Sequence, residues 1–230
     1  MSNLKLNKFL SSEDLAEQLA DRICGELERG LTQRGTSFLA VSGGSTPKLL
    51  FNVLSNKAID WRNIIITLVD ERWVDEKDQR SNARLVKEHL LVNKASKASF
   101  APLFHPGDIN QEIPKLEKQL RSLPFPFDAV ILGMGTDGHT ASFFPGGNNL
   151  EKAVDREGKH LLTSMSAPGA GEPRVTFTLP PLVESSFIAL HIEGPEKLVV
   201  LEQALENGDA NLMPVRHILR DNDALEVFWA

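Results

Sequence analysis

The stretch "SFLAVSGGSTPKLLFNVL", residues 37–54, passes from an apolar run through two glycines into a second run with helical spacing of its apolar residues. A short apolar run that stops at glycines is typical of a buried strand, and Pro47 suits the first turn of a helix. The stretch therefore predicts a strand, a tight loop and a helix in that order, which is the building unit of α/β proteins.

The same order returns along the chain. "IIITLVD" at 64–70 precedes "SNARLVKEHLL" at 81–91, which Ser81 or Asn82 can cap, and "DAVILGMG" at 128–135 precedes "DGHTASFF". Apolar residues at every fourth position between Leu15 and Leu31 predict an earlier helix, with Ser11 or Ser12 as its cap. Later strands are expected at 160–165, 174–178, 186–194 and 225–230, with a helix at 195–206.

Strands separated by helices predict a mostly parallel sheet with helices on both faces. We expect residues 1–230 to form a single α/β domain, because the loop-like "SLPFPF" at 122–127 leads straight into another apolar strand. In open sheets of this kind, ligands bind beyond the carboxyl ends of the strands.

The composition narrows the class of protein without giving a function. The chain has 230 residues, a formal charge of -6 and no cluster of Lys and Arg, which disfavours a nucleic-acid partner. The apolar run "IIITLV" is far shorter than the ~20 residues of a membrane span. The first residues lack a secretory pattern, and Cys24 is the only cysteine, so we expect a cytoplasmic protein with a buried thiol.

"VSGGSTP" at 41–47 is a candidate phosphate loop. Glycines let backbone N–H groups approach an anion, hydroxyl groups add donors, and a helix N-terminus carries partial positive charge. The candidate phosphate-binding residues are Ser42, Gly43, Gly44, Ser45 and Thr46. The stretch matches neither the Walker pattern nor the dinucleotide fingerprint. A plain strand-to-helix turn that Ser45 or Thr46 caps stays open as an alternative.

Two cations favour the phosphate interpretation. Arg174 opens the strand "RVTFT", and Lys197 falls in the first turn of the helix that follows Gly194. A lysine at a helix start opposes the helix dipole, and a bound anion would compensate for this. Each residue taken alone also fits a solvated surface charge.

Acidic and imidazole groups follow two other strands. Asp70 ends "IIITLVD" and is followed by Arg72, so Asp70 is a candidate for the crevice, with a helix cap or an Asp70–Arg72 pair as alternatives. In "GMGTDGHTASFFPG" the glycine density and the nearby Asp137 favour His139 as an acid–base catalyst, and Asp70 and Asp137 are further catalytic candidates. We interpret the other histidines as ordinary residues: His89, His105, His160, His191 and His217.

Neither a metal nor a serine nucleophile is expected. Asp137 and His139 have no partners at a recognisable ligand spacing, and cysteine is nearly absent. No G-x-S-x-G elbow occurs. The residues by themselves predict a phosphate-handling acid–base site.

At this point the motifs resemble a known family. "VSGGSTP", "LVDERWV" with "SNARLVKEHLL", "GMGTDGHTASFFPG", "RVTFTLPPL" and "GPEKL" occur in the order seen in 6-phosphogluconolactonases, which belong to the glucosamine-6-phosphate isomerase and 6-phosphogluconolactonase superfamily. The resemblance runs from about residue 10 to the C-terminus. It implies a Rossmann-like, doubly wound α/β fold and hydrolysis of 6-phospho-D-glucono-1,5-lactone to 6-phosphogluconate, the second step of the oxidative pentose phosphate pathway.

The resemblance also implies roles for individual residues. Residues 42–46, Arg174 and Lys197 would hold the sugar phosphate, His139 would be the general base, and Asp70 and Arg72 would line the site. It implies no cofactor and a small-molecule substrate as the partner. We expect a monomer that binds neither nucleic acid nor membrane.

Two other functions are compatible with parts of the pattern. Glucosamine-6-phosphate deaminases resemble the chain at the phosphate loop, at Asp70 and at "DGH", but they usually carry a glutamate five residues after the histidine, where this chain has Phe144. A non-catalytic sugar-phosphate sensor would usually carry a DNA-binding helix-turn-helix, for which the chain has no spare basic segment. Lactone hydrolysis is therefore the favoured prediction.

Overall fold

A computed structural model describes residues 4–220 and 223–230. These residues contain ten strands, which form a seven-stranded sheet in the order β1-β10-β9-β6-β2-β3-β5 and a three-stranded sheet in the order β4-β8-β7. The first sheet is parallel throughout, and the second is antiparallel. The strands are β1 Lys5–Lys8, β2 Ser37–Val41, β3 Ile64–Leu68, β4 Asp70–Arg72, β5 Ser99–Ala101, β6 Ala129–Leu132, β7 Leu162–Met165, β8 Arg174–Phe177, β9 Ile188–Ile192 and β10 Leu225–Trp229.

Helices connect most of the strands. They are α1 Ser12–Arg34, α2 Lys48–Ser55, α3 Asn82–His89, α4 Ile109–Leu120, α5 Leu150–Val154, α6 Leu179–Val183, α7 Pro195–Leu205 and α8 Arg216–Leu219, with short 3₁₀ helices at Trp61–Asn63 and Asn93–Lys97. No helix among the described residues is both long enough and apolar enough to cross a membrane.

Local signals explain where α1 begins and ends. The Ser11 hydroxyl accepts a hydrogen bond from the Asp14 backbone N–H at 3.1 Å, and Gly35 ends the helix with a φ of 74°. The predicted apolar stripe is buried except at Leu31, which is partly buried, and Cys24 packs with the stripe at 8% exposure. Burial raises the pKa of the Cys24 thiol to about 12.

Strand β2 is buried on both faces, as expected of a central parallel strand. On one face, the Ser37 hydroxyl donates to the Leu27 carbonyl of α1 at 2.5 Å. On the other face, the ring of Phe38 lies 4.5 Å from that of Phe127, which in turn contacts Phe177 of β8. The predicted α/β class with a mostly parallel sheet is confirmed, and the small antiparallel sheet adds to the cover of one face.

The strand order places a topological switch point between β2 and β6. From β2 the chain moves outward through β3 to β5, and it then returns to β6 on the other side of β2 before continuing to β9 and β10. The connections that leave β2 and β6 therefore diverge and open a crevice beyond the carboxyl ends of these two strands. The phosphate loop follows β2, and "GMGTDGH" follows β6.

Several details differ from the sequence-based expectation. The strand predicted at 64–70 ends at Leu68, and Asp70 begins β4 of the small sheet instead. The short strands β1 and β5 were not predicted, because three or four residues carry too little periodicity to be recognised. The main sheet includes strands from both sides of residues 122–127, as predicted.

Candidate active site

A cavity of about 280 Å³ opens in the crevice at the switch point. This is close to the lower end of the range for small-molecule pockets, which begins at roughly 300 Å³. Every candidate residue except Asp137 lines it: Ser42, Gly43, Gly44, Ser45, Thr46, Asp70, Arg72, His139, Arg174 and Lys197. The structure thus brings together side chains that are up to 155 positions apart in the sequence (197 minus 42).

The loop after β2 is shaped by its two glycines. Gly44 has a φ of +97°, a conformation that residues with a side chain rarely adopt. A Cβ atom at Gly43 would stand 1.9 Å from the Asn82 side-chain oxygen, so only glycine allows the loop to pack against α3. The loop backbone is therefore held against the wall of the cavity.

The alternative that Ser45 or Thr46 merely caps α2 is wrong. Pro47 is the N-cap residue, and no side chain caps this helix. Helix α7, which also begins at the cavity, has Gly194 as its N-cap and likewise no side-chain cap, whereas the other long helices α1, α3 and α4 are all capped by side chains. The two helix N-termini beside the cavity thus lack the side-chain partners that the other long helices have.

Three cationic side chains line the cavity. Lys197 is half-buried and makes no ion pair or side-chain hydrogen bond with any residue that the structure describes. Arg72 and Arg174 are direct cross-strand neighbours on β4 and β8. Like charges in that position repel, so a bound anion would relieve the repulsion.

Arg174 is held by several contacts in the wall of the cavity. Its Nη2 donates to the Ala170 carbonyl at 2.7 Å, and its guanidinium carbon lies 5.6 Å from the centre of the Phe144 ring. Its Nη1 lies 3.7 Å from Asp70 Oδ2. Burial lowers the pKa of Arg174, and the charge of Asp70 opposes this shift.

Asp70 has a different environment from either alternative considered for it. It is 5% exposed, its Oδ2 accepts a hydrogen bond from the Ser142 hydroxyl at 2.5 Å, and its ion-pair partner is Arg174 rather than Arg72. Helix α3 is capped by Ser81 and by Glu71, whose carboxylate accepts from the backbone N–H groups of residues 82 and 83. Burial raises the pKa of Glu71, although these hydrogen bonds oppose the shift.

A tight turn holds His139 against Asp137. The Gly135 N–H donates to the His139 carbonyl at 2.8 Å and closes the turn. His139 Nδ1 lies 2.5 Å from Asp137 Oδ1, which also accepts from the His139 backbone N–H at 3.1 Å. Because an ionised carboxylate only accepts, Nδ1 carries a proton, and in the neutral imidazole Nε2 is then the acceptor of the ring. The hydrogen bond from His139 lowers the pKa of Asp137.

Phe144 packs beneath His139 and Arg174. Its ring centre lies 4.4 Å from that of His139, and the residue is 3% exposed. Ala141, which lies between His139 and Phe144 in the sequence, lines the cavity. Its φ of 47° is unusual for a residue other than glycine. The segment therefore turns sharply, so that the imidazole lines the cavity while the buried Ser142 hydroxyl reaches Asp70.

Sequence reasoning missed three polar residues of the cavity wall, namely Asn82, His191 and Glu193. Asn82 was considered only as a cap, and its side-chain amide donates to the Asp70 carbonyl at 3.0 Å. His191 was interpreted as an ordinary residue, yet its Nε2 lies 2.9 Å from Glu193 Oε1. For His191 and Glu193, the position at the carboxyl end of the strand "FIALHIEG" was the signal that could have identified them.

Among the described residues, no group of three or more His, Cys, Asp or Glu side chains could hold a metal ion.

Comparisons with known proteins show the family to which the chain belongs. A family described as glucosamine-6-phosphate isomerases/6-phosphogluconolactonase matches residues 10–229. The chain is 46% identical to a 6-phosphogluconolactonase of Rhizobium meliloti, over 96% of this chain and 97% of that protein. It is 40% identical to one of Pseudomonas aeruginosa, over 95% and 92% of the two chains.

Solved structures show the same architecture. A crystal structure of a 6-phosphogluconolactonase from Shewanella baltica matches with a TM-score of 0.96 and 40% identity, and it covers 99% of this chain and 98% of that one. A 6-phosphogluconolactonase from Thermotoga maritima matches with a TM-score of 0.81 and 26% identity, with 99% of each chain covered.

Proposed function

We propose that His139 is the general base of a lactone hydrolysis. The chain belongs to the family of glucosamine-6-phosphate isomerases and 6-phosphogluconolactonases. The chain is an enzyme that hydrolyses 6-phospho-D-glucono-1,5-lactone to 6-phosphogluconate in the pentose phosphate pathway. Its substrate is therefore a small sugar phosphate. The assignment of roles to single residues is our proposal.

One observation supports these roles above the others. The His139 imidazole, the loop 42–46 and Lys197 line the same small cavity, although they follow three different strands. A hexose phosphate bound there would have its phosphate at the loop and its ring towards the imidazole. Holding the reacting groups together in this way lowers the entropic part of the barrier.

The reaction would proceed in two proton transfers through one ring nitrogen. Neutral His139 takes a proton from water at Nε2, and the hydroxide oxygen bonds to C1 of the lactone as the carbonyl becomes an oxyanion. The oxyanion then reforms the carbonyl and breaks the bond from C1 to the ring oxygen, which receives the proton back from Nε2. A positioned base is worth about 10²–10⁴ in rate.

Asp137 would orient this base and stabilise the imidazolium that forms between the two proton transfers. It accepts from Nδ1, so it keeps Nε2 free to accept the proton of water. Asp70, Arg72 and Arg174 line the same cavity and would bind the polar groups of the sugar phosphate. Phosphate binding remote from C1 would present the lactone carbon to His139.

The isomerase or deaminase chemistry of the same family is the nearest alternative. The position five residues after His139 holds Phe144, a buried ring packed on the imidazole. An apolar ring cannot relay a proton, so the geometry favours lactone hydrolysis over ring opening of an amino sugar phosphate.

Timed NMR of freshly prepared 6-phosphogluconolactone tests the proposal. With the protein present, the lactone signals should decay into those of 6-phosphogluconate much faster than without it, while glucosamine 6-phosphate should remain unchanged. Conversion of the amino sugar would favour the isomerase alternative. Tight binding of 6-phosphogluconate without any acceleration would favour a sugar-phosphate sensor. The cytoplasmic location, monomeric state and single-domain organisation expected from the sequence remain predictions.

A further inference from the structure

Glu193, like Asp70, places a carboxylate in a cavity that three cationic side chains also line. It lies between β9 and α7, lines the cavity together with Lys197, and has a side chain that is 27% exposed. A free carboxylate there would repel a phosphate and attract the nearest cation. The way in which the structure holds this carboxylate therefore bears on phosphate binding.

Both carboxylate oxygens of Glu193 accept hydrogen bonds from outside the phosphate-binding groups. Oε1 accepts from His191 Nε2 at 2.9 Å, and Oε2 accepts from the Ser12 hydroxyl at the start of α1 at 2.7 Å. The hydrogen bond from His191 is the main cause of a lowered pKa of Glu193. Glu193 is therefore ionised at neutral pH and fixed in place.

Lys197 remains unpaired although it follows Glu193 by one helical turn and lines the same cavity. Glu193 immediately precedes the N-cap Gly194, and Lys197 is the third residue of α7. Side chains just before a helix and in its first turn can meet, as in the hydrophobic staple. Nevertheless, no ion pair joins Glu193 to Lys197, and Lys197 has no other ion-pair partner among the described residues.

We propose that His191 is a positioning residue which, with Ser12, holds Glu193 apart from Lys197 and so keeps the Lys197 ammonium available for the substrate phosphate. The proposal rests on the proposed function, in which Lys197 binds that phosphate. Loss of either donor would let the Glu193 carboxylate turn towards Lys197 and neutralise it. His191 would thus act on the substrate through two other residues.

A purely stabilising role explains His191 less well. The residue is 3% exposed, and its Nδ1 has no hydrogen-bond partner among the described residues. A buried polar atom without a partner costs free energy, which an apolar side chain of similar size would avoid. Within the described part of the chain, the imidazole makes one polar contact, which is with Glu193, so this contact is the reason to place a histidine there.

The variants H191M, H191Q, E193Q and H191M/E193Q test the proposal with KM and kcat for 6-phosphogluconolactone. We expect H191M to raise KM roughly two- to fivefold, the size of one partly exposed ion pair, with kcat unchanged. H191Q should stay near the unsubstituted KM, because its amide nitrogen can still donate to Glu193. The double variant should return to that KM, because it has no carboxylate to neutralise Lys197.

Two further measurements distinguish a positioning role of His191 from an effect of the substitution on folding. H191M should melt at the same temperature as the unsubstituted protein or higher, and its KM for unphosphorylated gluconolactone should not change. If H191M fails to fold, S12A and S12A/E193Q provide the same comparison through the other donor. H160M is the control. His160 Nδ1 lies 3.5 Å from Glu117 Oε2, and His160 does not line the cavity.

An unchanged KM in H191M and S12A would overturn the proposal. An equally raised KM in H191M and H191M/E193Q would also overturn it, because His191 would then act without Glu193. Failure of the unsubstituted protein to hydrolyse the lactone would instead refute the proposed function. The two failures are therefore distinguishable.

Discussion

Arg72 and Arg174 stand directly opposite each other on the neighbouring antiparallel strands β4 and β8, and both side chains line the cavity. Asp70 offsets part of this charge, with its Oδ2 3.7 Å from Arg174 Nη1. An anion bound between or beside the two guanidinium groups would relieve the remaining repulsion. The small sheet thus contributes positive charge that the parallel sheet alone would not supply.

This arrangement predicts that inorganic phosphate stabilises the protein through Arg72. We expect phosphate at millimolar concentration to raise the melting temperature, because a ligand that binds only the folded state stabilises it. The rise should fall by at least half in R72M and should persist in R62M, since Arg62 lies outside the cavity. Thermal melting with and without phosphate measures the rise in melting temperature for each variant. A rise in R72M equal to that of the unsubstituted protein would contradict the prediction.

Lys197 should contribute to affinity for the phosphate group rather than for the sugar ring. In K197M, we expect KM for 6-phosphogluconolactone to rise about 10-fold or more, because a charge-assisted hydrogen bond to an anion is lost. KM for unphosphorylated gluconolactone should stay within about twofold. Steady-state kinetics on both lactones makes the comparison, with K118M as the surface control. Equal effects on both lactones would remove Lys197 from the phosphate site.

His139 should contribute to chemistry and little to binding. We expect H139A to lower kcat by about 10²–10⁴, the usual contribution of a positioned general base. Binding of 6-phosphogluconate, measured by calorimetry, should change by less than about threefold. If binding were lost together with activity, His139 would be a binding or structural residue.

Gly135 should be required for the position of the imidazole. A Cβ atom at this position would stand 2.1 Å from His139 Nδ1 and 2.5 Å from Asp137 Oδ1, so G135A must displace one of the two groups. We expect kcat to fall at least 10-fold with little change in the overall fold. G25A is the matched control, since a Cβ at this site in α1 meets no atom within 4 Å. Full activity in G135A would show that the turn adjusts freely.

The lowered pKa of Asp137 predicts a pH dependence of stability. A carboxylate whose pKa is lowered by folding contributes stability above the unfolded value of about 3.9, and this contribution is lost as the pH falls through the folded value. Because the Asp137 side chain is 45% exposed, we expect D137N to lose only about 0.5–1 kcal/mol near neutral pH. Urea unfolding of both proteins should show this difference narrowing below about pH 4. A difference that widened at low pH would have the wrong sign.

Much of the fold and many candidate residues could be predicted from local patterns in the sequence. The loop 42–46, the helix start at Lys197 and the "DGH" turn were predicted because glycines, caps and apolar periodicity act over a few residues. These short-range signals also place the polar residues at the carboxyl ends of strands. In the structure, the candidate residues other than Asp137 line one cavity there.

Only the tertiary structure decided which side chains become partners. Asp70 pairs with Arg174 and Ser142 rather than with Arg72. The reason is that the chain leaves the parallel sheet after β3, and β4 pairs with β8. His191 and Glu193 enter the cavity wall because β9 neighbours β6. Such pairings depend on strand order and register between segments that are distant in the chain, and these are set by packing of the whole core, which no local pattern specifies.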